Sequence, residues 1–184
     1  MTEQQADKRA PMAAAPFRYT PEGAVAWGEM WETFCALAQE GGPPHRGTLL
    51  QAPEQEDPDS PAYRAATAEI ARGIREVSGL TAAAGDPGWL AVRCDSPTMA
   101  RWLREAIAAE LVAARCDGPT LFVPVGAAYT LQGEIKNVVT VVAKTTHYWH
   151  DHLPAEVKQT LAAQERLAAL TSRVRGWLRR PARR

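Results

Sequence analysis

The stretch "GWLAVRCDSPTMARWLREAIAAELVAARCDGPTLFVPV", residues 88–125, decides the fold class. Its first apolar run, WLAVRC, is typical of a strand. Asp95-Ser96-Pro97 then predicts a helix start, because serine is a preferred N-cap and proline fits the first helical position. Two further apolar runs, VAARC and TLFVPV, flank Asp117-Gly118-Pro119, which predicts a hairpin. Between these signals, apolar residues recur at helical spacing at Met99, Trp102, Leu103, Ala106, Ile107 and Leu111.

The same kinds of sequence signal predict helices and a strand on both sides of this stretch. The pattern predicts helices at 20–41, 60–79, 131–152 and 154–178, and a short strand at 48–51. The predicted order is α-β-α-β-α-β-β-α-α. This order indicates an α/β fold of the α+β sandwich type, with a small sheet of three or four strands and helices packed mainly on one face.

Composition excludes several classes of protein. The 184 residues are 46% hydrophobic and 23% charged, as in an ordinary globular protein. No apolar run approaches the roughly 18 residues of a membrane span, and residues 1–16 lack the apolar segment of a signal peptide. Three cysteines without CxxC spacing favour reduced thiols over disulfides or a zinc ribbon. We therefore expect a cytoplasmic protein without a membrane span.

The chain divides into three parts by composition. Residues 1–18 are predicted to be a disordered leader, residues 19–171 a single domain, and residues 172–184 a basic, arginine-rich tail. From Ala155 onward, one lysine and seven arginines stand against two glutamates, a balance of +6 that offsets −6 in the remainder. The tail is either simply a disordered basic end or a contact for an acidic partner, a nucleic acid or an anionic membrane surface.

The segment "KTTHYWHDH", residues 144–152, holds three of the four histidines. On a helical wheel at about 100° per residue, apolar residues of the 131–152 helix fall in one arc, and His152 points about 140° away from His147. The spacing lets His147 meet Asp151 and Lys144. The opposite side carries a polar stripe of Asn137, Thr140, Lys144, His147 and Asp151.

Three interpretations of this stripe stay open. His147 and His150 are candidate ligands of a divalent metal ion, although they lack the i,i+4 spacing of histidine pairs in zinc enzymes. His147 and Asp151 are candidate catalytic residues, since a carboxylate orients an imidazole that acts as a general base. The third interpretation is a solvated helix face, or a stripe that lines a ligand groove.

The loop "GGPPHRG", residues 41–47, is a second candidate for ligand binding. It places His45 and Arg46 before a strand, and Arg46 is able to bind a carboxylate or phosphate with two hydrogen bonds. The alternative is a purely structural turn, in which prolines stiffen the chain and glycines permit positive φ angles. The sequence is neither a Walker A loop nor a dinucleotide-binding fingerprint.

Three runs, "GGPPHRGTLL", "MARWLREAIAAELVAAR" and "EIKNVVTVVAKTTHYWHDH", resemble a known module. Over about residues 40–152 the chain is similar to the C-terminal accessory module of bacterial sirohydrochlorin chelatase-like (cobaltochelatase) proteins. The resemblance implies an association with tetrapyrrole metabolism, in cobalamin or sirohaem biosynthesis, without implying chelatase activity. The residues that it carries over, with roles unassigned, are His45, Arg46, Lys136, Asn137, Lys144 and His147.

Three functions follow as hypotheses. The first is a small cytosolic ligand-binding or accessory domain, whose GGPPHRG loop and polar stripe form a pocket for a small anionic molecule, a tetrapyrrole or its metal. Its ligand-binding residues would be those carried over by the resemblance together with Thr140. The second is a metal-dependent enzyme that uses His147 and His150. The third is a protein- or nucleic-acid-interaction module that acts through the arginine-rich C-terminus.

Overall fold

The structure of the protein is a computed structural model that describes residues 17–30 and 47–178, without the side chains of Met30, Ala169 and residues 172–178. In this part of the chain, four strands form one antiparallel sheet in the order β1-β2-β4-β3. The α+β class is confirmed, and so is the predicted order of helices and strands, apart from the local differences described below. The strands are β1 (Thr81–Ala84), β2 (Trp89–Arg93), β3 (Arg115–Asp117) and β4 (Thr120–Pro124).

Helices cover one side of this sheet. Helix α1 packs against β1, α2 packs against β3 and β4, and α3 packs against α1 and α2. Two π-helical segments, the first and second π turns, flank α3 directly. The bounds are α1 (Pro61–Ser78), α2 (Pro97–Ala109), the first π turn (Leu131–Ile135), α3 (Lys136–His147), the second π turn (Tyr148–His152) and α4 (Ala155–Leu178).

Strand β4 lies between β2 and β3 and is antiparallel to both. Strands β2 and β3 therefore run parallel to each other without touching, and α2 is the crossover that connects them. Because β4 contains Pro124, the sequence predicts it at an edge of the sheet; this prediction is wrong, since β4 is an interior strand. Pro124 is tolerated because it is the last residue of the strand, where the ladder of hydrogen bonds ends.

Local capping signals set the ends of the first two helices. Ser60 has extended backbone angles and its Oγ accepts a hydrogen bond from the N–H of Tyr63 at 3.2 Å. Ser96 caps α2 in the same way through the N–H of Met99 at 3.1 Å. Gly79 ends α1 with φ of 72°, a left-handed conformation that favours glycine. These ends agree with the predicted helix range of 60–79 and with the helix start predicted at Ser96-Pro97.

Ser60→Ala is expected to lower the free energy of unfolding by about 1 kcal/mol, because the first turn of α1 loses the acceptor for one of its orphan N–H groups. Urea denaturation followed by circular dichroism measures this loss. Ser60→Asp is the matched control, since it restores an acceptor and is expected to keep most of the stability. An equal loss in both variants would assign the effect to something other than the cap.

The two faces of the sheet differ in burial. Leu90, Val92, Leu121 and Val123 are buried and form one hydrophobic core with α1, α2 and α3. The opposite face carries the partly exposed rings of Trp89 and Phe122. The guanidinium of Arg115 lies 4.5 Å from the Trp89 ring centroid and 4.8 Å from that of Phe122, and it pairs with Asp86 at 2.5 Å.

Helix α3 is buried on every side over most of its length. Its core residues include Val138, Val139, Val141 and Val142, each fully buried. A run of β-branched residues has only modest intrinsic helix propensity, so tertiary packing must stabilise this helix. A helical wheel separates an apolar from a polar arc, but the fold buries both arcs of α3.

Two short segments differ from the prediction. The strand predicted at 48–51 is reduced to an isolated bridge between Leu50 and Val112. Residues Thr81–Ala84, which the sequence analysis does not assign to a strand, pair with β2 as the edge strand β1. An alanine-rich segment lacks strong β propensity, and its pairing depends on the turn at 85–88 that brings it beside β2.

The helix predicted from Thr20-Pro21 does not begin there. These residues form a turn in which the N–H of Gly23 donates to the carbonyl of Thr20 at 2.9 Å, with Gly23 at φ of 85°. Tyr19 and Val25 pair across this turn as an isolated bridge. A 3-10 helix follows at Trp27–Met30. The remainder of the predicted helix lies outside the described residues.

The boundaries of the domain are described only in part. Phe17, placed by sequence in the leader, packs against the hydrophobic core, with its ring edge-to-face on Trp27 at 5.2 Å between centroids. Residues 1–16 and 179–184 lie outside the description. Across the helices that the structure does describe, none combines the length and apolar character that a bilayer-spanning segment requires.

Candidate functional site

The first half of the predicted polar stripe lies inside the protein. Lys136, Asn137 and Thr140 are all buried, and the Thr140 hydroxyl donates to the carbonyl of Asn137 at 3.1 Å. The Lys136 ammonium lies 4.6 Å from the ring centroid of Phe17, and burial lowers the pKa of Lys136. These three residues therefore occupy the interior of the fold. A ligand-binding role for them stays a prediction.

Lys144 forms a partly buried ion pair. Its Nζ lies 2.5 Å from Oε1 of Glu110, and the two side chains are only 15% and 17% exposed. Glu110 follows α2 as its C-cap residue. The second oxygen of this carboxylate, Oε2, is buried and has no hydrogen-bond partner within the described residues. Lys144 is thus the main neutralising partner of Glu110.

The GGPPHRG loop is described only at its last residue, Gly47. His45 and Arg46 lie outside the described residues, so their predicted roles are untested. Beyond the loop, the N–H of Leu50 donates to the carbonyl of Leu111 at 2.8 Å. Because Leu111 follows Glu110, this bond anchors the chain after the loop beside the Lys144–Glu110 pair.

His147 and Asp151, from the second half of the stripe, meet His152, and these three residues are called here the histidine cluster. The Oδ2 atom of Asp151 lies 2.7 Å from Nδ1 of His147, and the Nε2 atoms of His147 and His152 are 3.0 Å apart. The placement of His152 about 140° from His147 is wrong. In the structure the two imidazoles meet edge-to-face.

The second π turn explains this meeting. The N–H of Leu153 donates to the carbonyl of Tyr148, five residues earlier, at 2.9 Å. A π-helical turn holds more residues than an α-helical turn, so positions i and i+5 come to the same face. His147 and His152 are such a pair. An ideal α-helical wheel cannot predict this contact, because it assumes 3.6 residues per turn.

The cluster places a carboxylate beside one imidazole and sets the two imidazoles against each other. The Asp151 carboxylate lies at ion-pair distance from Nδ1 of His147, and Nε2 of the same ring faces Nε2 of His152. The His147 side chain is 13% exposed and that of Asp151 is 61% exposed, so the cluster opens to solvent on one side. The arrangement suits proton exchange or metal coordination, and a catalytic role for His147 and Asp151 stays a prediction.

His150 has an exposed side chain, and its carbonyl accepts a hydrogen bond from Nζ of Lys158 at 3.2 Å. Within residues 17–30 and 47–178, no group of three or more histidine, cysteine, aspartate or glutamate side chains is arranged to hold a metal ion. The pair of His147 and His150 as ligands of a divalent metal stays a prediction.

Aromatic rings connect the histidine cluster to a groove beside α2. Tyr148 lies 5.5 Å from His152 and stacks on Trp102 at 6.2 Å with an interplanar angle of 8°. Trp102 in turn lies 5.6 Å from Trp149. The spacing of apolar residues places Trp102 on the apolar face of its helix, and Trp149 falls in the apolar arc of the 131–152 helix. The signal that could have indicated this contact is the position of Tyr148 and Trp149 between His147 and His150, on the same turn as the histidines.

The groove lies between the start of α2 and the face of α4, with a volume of about 800 Å³. Trp149 lines it together with three cationic side chains, Arg101, Lys158 and Arg166. Glu165 pairs with Arg101 at 3.0 Å and accepts a hydrogen bond from Thr98. Lys158 and Arg166 are not among the predicted site residues, although their spacing of eight residues places both on one face of a helix.

The thiols and the tail complete the predicted features. Cys94 and Cys116 are free, and burial, aided by the nearby Asp95 carboxylate, raises the pKa of the Cys94 thiol to about 12. This thiol stays protonated and unreactive at neutral pH. The third cysteine, Cys35, lies outside the described residues.

The arginine-rich tail is described only in its backbone, as far as the end of α4 at Leu178. Its side chains from residue 172 lie outside the description, so a partner for the tail stays a prediction.

No protein-family model matches this chain, and neither the curated proteins nor the solved structures contain one with significant similarity to it.

Proposed function

We propose that the protein is a small cytosolic ligand-binding or accessory domain, and that the α2–α4 groove binds a planar organic anion of the tetrapyrrole class. The observation that carries this proposal is the combination of Trp149 with Arg101, Lys158 and Arg166 in one groove. The cationic side chains select an anionic ligand, and Trp149, although only 7% exposed, adds an aromatic contact at the base of the groove.

The charge balance of the groove supports an anionic ligand. Glu165 is the carboxylate among the lining residues, and its contacts to Arg101 and Thr98 already engage it. Lys158 uses one of its three N–H groups on the carbonyl of His150. Arg166 has no carboxylate partner in the described part of the chain. Donors therefore remain for the carboxylates of a ligand.

The size of the groove supports a small organic ligand. A volume of about 800 Å³ falls within the range of small-molecule sites in proteins. The Lys158 ammonium lies 5.5 Å from the Trp149 ring centroid, so positive charge sits next to an aromatic surface. The resemblance to the accessory module of sirohydrochlorin chelatase-like proteins supports a tetrapyrrole, whose flat ring system carries several carboxylates.

Metal-free uroporphyrin, a tetrapyrrole with eight carboxylates, is a direct probe of this proposal. We expect saturable 1:1 binding that quenches tryptophan fluorescence and shifts the porphyrin absorption. Arg166→Ala is expected to weaken this binding about tenfold, the usual effect of losing one hydrogen bond between charged groups. Higher salt should weaken binding further, since the groove is open to solvent.

Arg64→Ala is the matched control, because Arg64 is an exposed arginine on α1, whereas the groove is formed by α2 and α4. Its binding constant is expected to stay within a factor of two of the wild-type value. Equal weakening in the two variants would show a general charge effect. The absence of saturable binding to the wild-type chain would reject the tetrapyrrole ligand.

A further inference from the structure

The histidine cluster has the geometry of a metal-chelating pair in its metal-free state. Zn–N bonds are about 2.0–2.1 Å, and tetrahedral coordination places two ligand nitrogens roughly 3.3 Å apart. The Nε2 atoms of His147 and His152 are 3.0 Å apart and face each other. An outward movement of a few tenths of an ångström would admit an ion between them. His152 is exposed and is therefore able to make this movement.

Asp151 supplies the orientation that such a pair requires. Metal-bound histidines usually donate their other ring N–H to a carboxylate or carbonyl, which fixes the tautomer and raises the basicity of the ligand nitrogen. Oδ2 of Asp151 lies 2.7 Å from Nδ1 of His147, so the carboxylate stands beside the ring nitrogen that does not face His152. Asp151 is thus a positioning residue rather than a ligand.

The local helix geometry explains why His147 pairs with His152 and not with a residue four positions away. Histidine pairs on α-helices share a metal at i,i+4, whereas His147 and His152 are five residues apart. The second π turn brings them to the same face, and its hydrogen bond from Leu153 to Tyr148 stabilises that arrangement. π-Helical turns occur frequently at functional sites, since they alter which side chains meet.

We propose that Nε2 of His147 and Nε2 of His152 chelate a borderline divalent transition-metal ion such as Zn²⁺, Co²⁺ or Ni²⁺, leaving its other coordination positions to water or a second ligand. Imidazole nitrogen is a preferred ligand of these ions. Two protein ligands are consistent with the absence, in the described residues, of any three-residue metal cluster. This site is separate from the α2–α4 groove and does not depend on the tetrapyrrole proposal.

Titration of the tag-free, full-length chain with Co²⁺ and with Zn²⁺ at pH 7.5 tests the proposal. Calorimetry gives the affinity and stoichiometry, and the visible absorption of Co²⁺ reports imidazole coordination. We expect one saturable site per chain. His152→Ala and His147→Ala are each expected to weaken binding at least tenfold. Asp151→Asn is expected to weaken it about tenfold, as loss of an orienting partner usually does.

His150→Ala is the matched control, since it removes an exposed histidine from the same turn and is expected to change the affinity less than twofold. If His150→Ala weakens binding and His152→Ala does not, the ligand pair is His147 and His150, and the proposal is overturned. Wild-type affinity in His152→Ala, or no saturable wild-type site, also overturns it. If His147→Ala fails to fold, the affinity of His152→Ala decides the outcome. Uroporphyrin binding is measured separately, so that failure of the metal site and failure of the groove proposal can be told apart.

Discussion

Trp27→Ala is expected to lower the free energy of unfolding by about 3–5 kcal/mol, the usual cost of truncating a fully buried tryptophan. Trp27 is completely buried, and its indole N–H donates to Glu69 at 3.0 Å. Its backbone N–H donates to Glu76 at 3.1 Å. Gly73 permits this close packing, because a Cβ at that position would lie 3.0 Å from the indole nitrogen. Chemical denaturation measures the loss.

Tyr19→Ala is the control for this prediction, because Tyr19 belongs to the same N-terminal segment but is 54% exposed. It is expected to change stability by no more than about 0.5 kcal/mol. The contrast tests whether residues 17–30 belong to the folded domain. A loss below about 1 kcal/mol in Trp27→Ala would mean that the α+β body folds independently of this segment.

Lys144→Met is expected to lower the free energy of unfolding by about 2–3 kcal/mol. The substitution keeps most of the side-chain volume but leaves the Glu110 carboxylate largely buried without its cation. On a solvated helix face the same change would cost less than about 0.5 kcal/mol. Urea denaturation at neutral pH therefore distinguishes a structural ion pair from an exposed stripe.

A double-mutant cycle isolates the pair. Lys144→Met combined with Glu110→Gln removes both charges, so we expect the double variant to be more stable than the sum of the two single losses implies. Strict additivity of the two losses would show that the charges do not interact. This cycle also bears on ligand binding, because a lysine already engaged by Glu110 offers less to an anion than a free lysine.

The elements that sequence predicts well are those encoded by local signals. Ser60-Pro61, Ser96-Pro97 and Gly79 specify helix ends through one hydrogen bond or one φ angle, and Asp117-Gly118 specifies the hairpin between β3 and β4. Each signal acts over a few residues. The structure therefore agrees with the prediction at each of these positions.

The features that sequence did not predict depend on contacts between distant residues. The burial of Lys136, Asn137 and Thr140 follows from the packing around α3, which a helical wheel does not include. The contact of His147 with His152 requires the second π turn, where Tyr148 and Trp149 pack against Trp102 of α2. The α2–α4 groove likewise joins residues more than fifty positions apart.

The interior position of β4 has a consequence for folding during synthesis. Among the residues that the structure describes, β3 pairs with β4 alone, and β4 is the strand that covers the second edge of β2. A ribosome-bound chain that has emerged up to Asp117 can form the β1–β2 hairpin but leaves both partners of β4 with unpaired backbone groups. The sheet closes only when Thr120–Pro124 arrive, so chains truncated before this strand would expose two unpaired edges and be prone to aggregate.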